Sequence, residues 1–422
     1  SATPAAHAAA PAEGGATGAR GAAPDPEGAG SETHHPPGEI EMFEAHLASN
    51  VDFRPGHGLT IRSDDEQFEL TTRFRLHILY SLVDQPGSEL SHELTLRRAR
   101  LEFSGRFFGA DNRWKLSIAL APRDVGIRDV FENDGPEHTP FLDYYLEFRQ
   151  LRELNVRIGQ YKVPYSREFG ISSANLEMVD RSIVNSAFSL DRDVGFDFRS
   201  PDLFGLGLFR YYAGVYIGQG RDAVGADDFG LLYAVRIEML PLGLFDDYSE
   251  ADFDRSLTPR LSIGAAFAAI DRAHGDRGIL GSAPADGGTT NTQHVAADTV
   301  FMFGGLRLFA EFLLRVGQRN SGDAVDEMGM QIPTEPSVWG WGLVSQVGYL
   351  LPDLPIEIAP RYATIQPLRT PGGVSLHNEL GLALSYYVDR HPFKVQIDGF
   401  RLWGDQFDVG ETRLRVQIQA SL

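Results

Sequence analysis

From Phe68 to Leu82 apolar and polar side chains alternate. Phe68, Leu70, Phe74, Leu76, Ile78, Tyr80 and Leu82 share one phase, and Glu69, Thr71, Arg73, Arg75, His77 and Ser81 fall on the other. A period of two marks a strand with two unlike faces. The run is long for a sheet in water, where about 5–6 residues is usual, and it covers the ~9–11 residues a tilted strand needs to cross a bilayer. The pattern returns to the C-terminus. Tyr233, Val235, Ile237 and Met239 alternate with Arg236 and Glu238, Leu308 and Phe312 with Arg307 and Glu311, and Leu414, Val416 and Ile418 with Arg413, Arg415 and Gln417.

Such segments begin near positions 68, 92, 113, 141, 154, 193, 206, 229, 257, 295, 305, 338, 354, 376, 392 and 411, to within ~2–4 residues. That is sixteen, and an even number of antiparallel strands closes into a barrel without edges. The expected fold is therefore all-β: a closed antiparallel transmembrane β-barrel of about 16 strands over residues 59–422, with an infolded loop and a disordered N-terminal tail. A soluble sandwich built of strands this long, with the apolar phase so complete, would leave too much apolar surface in water. Short turns such as Phe107 to Asn112 and Val388 to Pro392 alternate with longer polar loops, Pro122 to Pro140, Asp246 to Asp254, Asp271 to Gln293 and Gln318 to Pro336. Short turns at one end and long loops at the other are the layout of outer-membrane barrels. Asp246 to Asp254 holds five acidic residues and no basic one, so it reads as a solvated acidic loop.

Residues 1–38 are rich in Ala, Gly and Pro, with nothing apolar enough to bury, and read as a disordered tail. Residues 39–58 read as a short helix and linker, with Ile40, Phe43 and Leu47 on one face. A signal peptide already removed would account for Ser1 in place of an initiator Met, as would an engineered start.

Composition narrows the chemistry. There is no cysteine, which excludes disulfide scaffolds and thiolate metal sites. Neither G-x-S-x-G, H-E-x-x-H nor a P-loop occurs, so no enzyme, cofactor or metal site is expected, and His34-His35 sits in the tail. The net charge of −20 argues against nucleic acid as a partner. All but three of the 38 basic residues, Lys115, Lys162 and Lys394, are arginines. On the polar strand phase the balance inverts, with eighteen basic residues against ten acidic. A channel wall of that sign concentrates anions. Arg73, Arg75, Arg98, Arg100 and Arg106 lie on this phase, and the run Arg97 to Arg106 is its densest cluster.

Between Val156 and Gly195 the strand rhythm breaks. Tyr165 to Leu190 is too long for a hairpin turn and carries Phe169, Ile171, Leu176, Met178, Val184 and Phe188, which need burial. The barrel interior is the space available, which brings Lys162, Arg167, Arg181 and Arg192 toward the lumen as anion-lining candidates. Pairing with carboxylates is the competing use of these charges.

The stretches Val156-Arg157-Ile158-Gly159-Gln160-Tyr161-Lys162-Val163-Pro164-Tyr165-Ser166-Arg167-Glu168, Val179-Asp180-Arg181-Ser182, Asn185-Ser186-Ala187-Phe188 and Asp191-Arg192-Asp193-Val194-Gly195 resemble the phosphate-selective porin O and P family of Gram-negative outer membranes. Leu96-Arg97-Arg98-Ala99-Arg100-Leu101 fits the same family. The resemblance implies a homotrimeric 16-stranded barrel, inward-folded loops forming a constriction, and passive uptake of phosphate or other small anions past arginines and lysines. The scarcity of lysine departs from the family pattern, as do the acidic loops.

The expected function is a passive outer-membrane channel preferring small anions such as phosphate. The alternative is a structural barrel that anchors or sheaths a multi-protein envelope complex, with the N-terminal segment docking a periplasmic partner. Outer-membrane lipid is the expected surroundings of the barrel. Replacing lipid-phase Leu308 or Val235 by Arg is expected to be costly, and reversing the charge at Arg307 or Arg236 on the opposite phase to cost far less.

Overall fold

A computed structural model describes residues 50–126, 138–223, 230–369 and 372–422. The tail at 1–38 and the short helix over Ile40 to Leu47 lie outside the described residues.

A first hairpin pairs β1 (Val51–Arg54) with β2 (Gly58–Arg62). Sixteen longer strands follow. They are β3 (Glu69–Asp84), β4 (Ser91–Arg106), β5 (Asn112–Ala119), β6 (Phe141–Phe148), β7 (Asn155–Lys162), β8 (Arg192–Ser200), β9 (Phe209–Tyr216) and β10 (Leu232–Met239). The second half comprises β11 (Arg260–Ala273), β12 (Thr289–Phe303), β13 (Leu306–Asn320), β14 (Gly340–Leu350), β15 (Ile356–Pro367), β16 (His377–Asp389), β17 (Phe393–Trp403) and β18 (Glu411–Ser421). Each is antiparallel to the next, and β18 returns to β3 from Thr412↔Asp84 to Ser421↔Arg75, closing the sheet. Phe74 and Leu422 extend the seam by donating to each other's carbonyls at 2.9 and 2.8 Å. Beyond them β2 takes over the β3 edge from Leu59↔Thr72 to Arg62↔Glu69. The fold is thus a closed 16-strand antiparallel barrel, with an end hairpin that the periodicity did not flag because its strands are so short.

Strand starts agree closely with the alternation, with one clear exception. β12 begins at Thr289 rather than near 295. Thr290, Thr292 and His294 continue the ladder and are buried, so a polar start hid a paired segment.

The two phases separate as the pattern requires. In β10, Ala234, Arg236 and Glu238 are no more than 1% exposed, while Tyr233, Val235 and Ile237 are 47–56% exposed. With polar groups paired inside and apolar ones outside, the wall meets lipid without presenting charge to it.

Seven connectors between successive long strands lie at the same end as the C-terminus. Six are short: 107–111, 149–154, 201–208, 304–305, 351–355 and 390–392. The seventh, 240–259, is not, although it shares that end. The opposite end carries the long loops, including 120–140, 163–191, 274–288 and 321–339.

Candidate functional site: the barrel interior

The segment 163–191 leaves β7 and enters the barrel, as its length and apolar content predict. Two short helices organise it, α1 (Arg167–Gly170) and α2 (Ile183–Phe188). Each opens on a serine cap. Ser166 Oγ accepts from Phe169 N, and Ser182 Oγ accepts from Asn185 N, both at 3.1 Å. Val184 and Phe188 join the buried cluster of Phe309, Leu313, Val344 and Ala363. Glycines on β14 make the room. A Cβ on Gly342 would stand 2.7 Å from Val184, and one on Gly348 would stand 2.3 Å from the Glu177 carboxylate.

Ion pairs fasten the segment to the wall. Asp180 receives Arg97, Arg98 and Arg415. Two consecutive arginines reach one carboxylate because a register shift opposite His77 and Ile78 bulges β4 there. Burial works to raise the Asp180 carboxyl, but Arg98, Arg97 and Arg415 outweigh it and hold it well below the usual carboxylate range.

Arg167 is wholly enclosed. It meets Asp298, Asp247 at 2.6 Å and Glu238 at 3.3 Å. Arg236 joins Asp298 at 2.7 Å above Gly264, where a Cβ would lie within 2.6 Å of both groups. Glu177 takes Arg307 at 3.2 Å and Gln346 at 2.6 Å.

The connector 240–259 also turns inward. Asp247, Glu250 and Asp252 are buried, and they pair with Arg167 and Arg210, with Arg307, and with Arg260 respectively. The reading of Asp246 to Asp254 as a solvated acidic loop is therefore corrected, because these carboxylates are matched to wall arginines. The two inserted segments meet directly, Glu250 N donating to Asn175 O at 3.0 Å and Glu177 N to Glu250 Oε2 at 2.6 Å.

The remaining sequence candidates divide by partner. Arg73 and Arg75 share Glu102, at 3.2 and 2.6 Å. Arg100 holds Asp124 at 2.8 Å and Arg106 holds Glu69 at 3.1 Å. Arg192 holds Asp143 at 2.9 Å. The dense cluster over Arg97 to Arg106 is therefore matched by carboxylates from β3, the 120–140 loop and the infolded segment. Lys162 and Arg181 differ. Lys162 donates to the carbonyls of Phe169 and Ile171 at 2.6 and 3.1 Å, and Arg181 to those of Glu168 and Ile171 at 2.9 and 2.5 Å. Neither forms a carboxylate ion pair among the described residues.

Cavities lie between these contacts. One of about 630 Å³ and one of about 270 Å³ share Arg97, Asp180, Arg413 and Arg415 as a common wall. Seven arginines and three carboxylates line the two together. A third, of about 300 Å³, lies against β4 to β10 and reaches Tyr248 on the inserted connector.

A closed barrel of this size, apolar outside and polar within, with an infolded segment narrowing its interior, is an outer-membrane channel. Residues 70–353, more than half of the chain, match the family model for phosphate-selective porin O and P, and the chain belongs to that family. No curated protein matches it. Solved structures similar in fold include the anion-selective porin from Comamonas acidovorans, at 12% identity and TM-score 0.53, covering 84% of this chain and 100% of that one. The outer membrane channel DcaP of Acinetobacter baumannii matches at 12% identity and TM-score 0.52, over 87% of this chain and 100% of its own. OmpT of Vibrio cholerae matches at 8% identity and TM-score 0.51, over 86% and 100%. At these identities the likeness shows the fold alone.

Proposed function

We propose that the chain is a passive channel that prefers small anions, phosphate among them, and works as a homotrimer. The observation that carries the reading is the pair of cavities walled by Arg97, Asp180, Arg413 and Arg415, where arginines outnumber carboxylates. Guanidinium keeps its charge in any surroundings, so a passing oxyanion always meets a cation. Several half-matched arginines in series hold an anion weakly enough to release it, as conduction requires. Arg181 adds a charge that forms no ion pair with a carboxylate among the described residues. Of the nine sequence candidates, Arg98 and Arg181 line this path, Arg100, Lys162 and Arg192 line the third cavity, and Arg167 serves as an anchor for the infolded segment.

The test is reversal potential in a planar bilayer across a salt gradient. Anion preference that falls as salt rises is expected. Cation preference at low salt overturns the assignment. A purified barrel that inserts without conducting overturns it in favour of a structural anchor or sheath.

A further inference from the structure

At the long-loop end of the lumen a further cavity, of about 360 Å³, lies against α2. Two arginines line it, Arg315 from β13 and Arg277 from the loop 274–288. Their hydrogen bonds go to carbonyls. Arg315 donates from Nε to Val338 O at 3.2 Å and from Nη1 to Ala187 O at 2.7 Å, and Arg277 donates from Nη1 to Ser186 O at 3.3 Å. Arg315 is 1% exposed, and its Nη2 has no partner among the described residues.

A carbonyl occupies an N–H without cancelling the charge behind it. Most lumen arginines meet a carboxylate, but neither of these forms an ion pair among the described residues. The carboxylate whose charge reaches Arg315 is that of Asp276, which accepts from Ser282 N at 3.2 Å and does not line the cavity. A guanidinium as enclosed as that of Arg315 is costly without a counter-charge. An anion placed between it and Arg277 supplies that charge and takes up the open donor.

The rest of the wall is largely apolar. Ile183, Ala187 and Val374 pack on the hydrophobic core by one side and border the cavity, as does Val338. Phosphate has nothing to set against these side chains. The volume equals about twelve waters at ~30 Å³ each, room for an aliphatic chain of about six carbons with its carboxylate. We infer that this cavity is an entry subsite for aliphatic monocarboxylates of the hexanoate class, held by Arg277 and Arg315 at the carboxylate and by Ile183, Ala187, Val338 and Val374 along the chain. The inference rests on the anion-channel reading and names a solute class within it. Full burial of a methylene is worth about fourfold in affinity, and a cavity open on one side gives about twofold.

Calorimetric titration of the detergent-purified full chain with sodium acetate, butyrate, hexanoate and phosphate, each read against detergent micelles alone, tests this. Hexanoate, four methylenes longer than acetate, is expected to bind about fifteenfold more tightly, with butyrate between them and phosphate no tighter than acetate. Arg277→Gln, on a loop and only half-buried, should weaken hexanoate about tenfold. Affinity that does not rise with chain length overturns the inference with no variant needed, as does unchanged hexanoate binding in folded Arg277→Gln. The anion-channel reading fails separately. Cation preference in the bilayer removes it whatever hexanoate does in the calorimeter, and weak hexanoate binding leaves an anion-selective reversal potential untouched.

Discussion

Arg98 Nη2 donates to Asp180 Oδ1 at 2.5 Å, bridging the barrel wall to the segment that fills its interior. Arg97 closes on the same carboxylate through Nε and Nη2 at 3.2 and 3.1 Å, and Arg415 adds a third guanidinium at 3.4 Å. One acid thus pins strands from both sides of the β3 seam. Replacing Asp180 by Asn leaves these cations facing one another. A fully enclosed pair broken this way costs roughly 3–5 kcal/mol. Asp180 keeps 21% of its side chain open to water, and screening brings the expected loss to about 2 kcal/mol. Denaturant unfolding in detergent measures it. Reversal potential in the same variant should move toward stronger anion preference, and a shift toward cations sinks the account.

The same carboxylate sets a pH window. Its folded value lies well below that of the unfolded chain, where an aspartate titrates near ~3.9. A depressed carboxylate contributes stability that is fully present above the unfolded value and is lost as pH falls through the folded one. The anchoring of 163–191 at Asp180 should therefore hold from pH 7 to about pH 4 and release only below that. Single-channel current recorded across this range checks it. A change in current already complete by about pH 5 would exclude Asp180 as the controlling anchor.

The two strand phases give a third test, and here the interior changes the expected ranking. Leu308→Arg or Val235→Arg sets a charge in lipid and should cost about 2–4 kcal/mol. Charge reversal at Arg307 was expected from the sequence to be mild. Arg307 in fact lies 3.2 Å from Glu177 and 3.7 Å from Glu250, wholly buried, so Arg307→Glu would bring three carboxylates together. It should cost at least as much as the lipid-facing change. The tolerant interior control is Arg113, which is exposed and forms no ion pair with a described residue; Arg113→Gln should stay within ~0.5 kcal/mol. Equal costs for Arg113→Gln and Leu308→Arg would undo the phase assignment.

The barrel was legible because each strand repeats one rule, and the rule is local. Residues two apart share a face whatever the rest of the chain does. The infolded segment was legible from the loss of that rule between Tyr165 and Leu190, together with too many apolar residues for a solvated loop. Pairing was not legible. Asp180 meets Arg415, and Glu177 meets Arg307, across separations that no local pattern encodes. The bulge that turns Arg97 and Arg98 to the same side does mark the alternation, since the apolar phase passes from Leu94 and Leu96 to Leu101 and Phe103, but that shift does not say which carboxylate the two arginines meet. Gly342 and Gly348 read only as interruptions of an apolar run, although their value is the space they leave for Val184 and Glu177. Segment 240–259 was misread for a related reason. Five acids without a base look solvated until the arginines opposite are known. A signal was nevertheless present, since counting strands from β3 puts this connector on the short-turn end, where its length is out of place.

That connector supports the last prediction. Short turns face the periplasm in outer-membrane barrels, so 240–259 enters from the end opposite to 163–191, and the two meet at Glu177, Asn175 and Glu250. Replacing 243–257 by a short turn removes Tyr248 from the third cavity and clears one of two obstructions in series. Conductance per channel should rise, because the narrowest part of a pore dominates its resistance. Stability should fall at the same time. Arg167 loses Asp247, Arg307 loses Glu250 and Arg260 loses Asp252, leaving buried guanidinium groups with fewer partners. Glu238 and Asp298 still hold Arg167, and Glu177 still holds Arg307, so the barrel should fold. Single-channel recording beside denaturant unfolding separates the two effects. Conductance unchanged in a folded variant would mean that the connector lies beside the permeation path and that 163–191 alone sets the constriction.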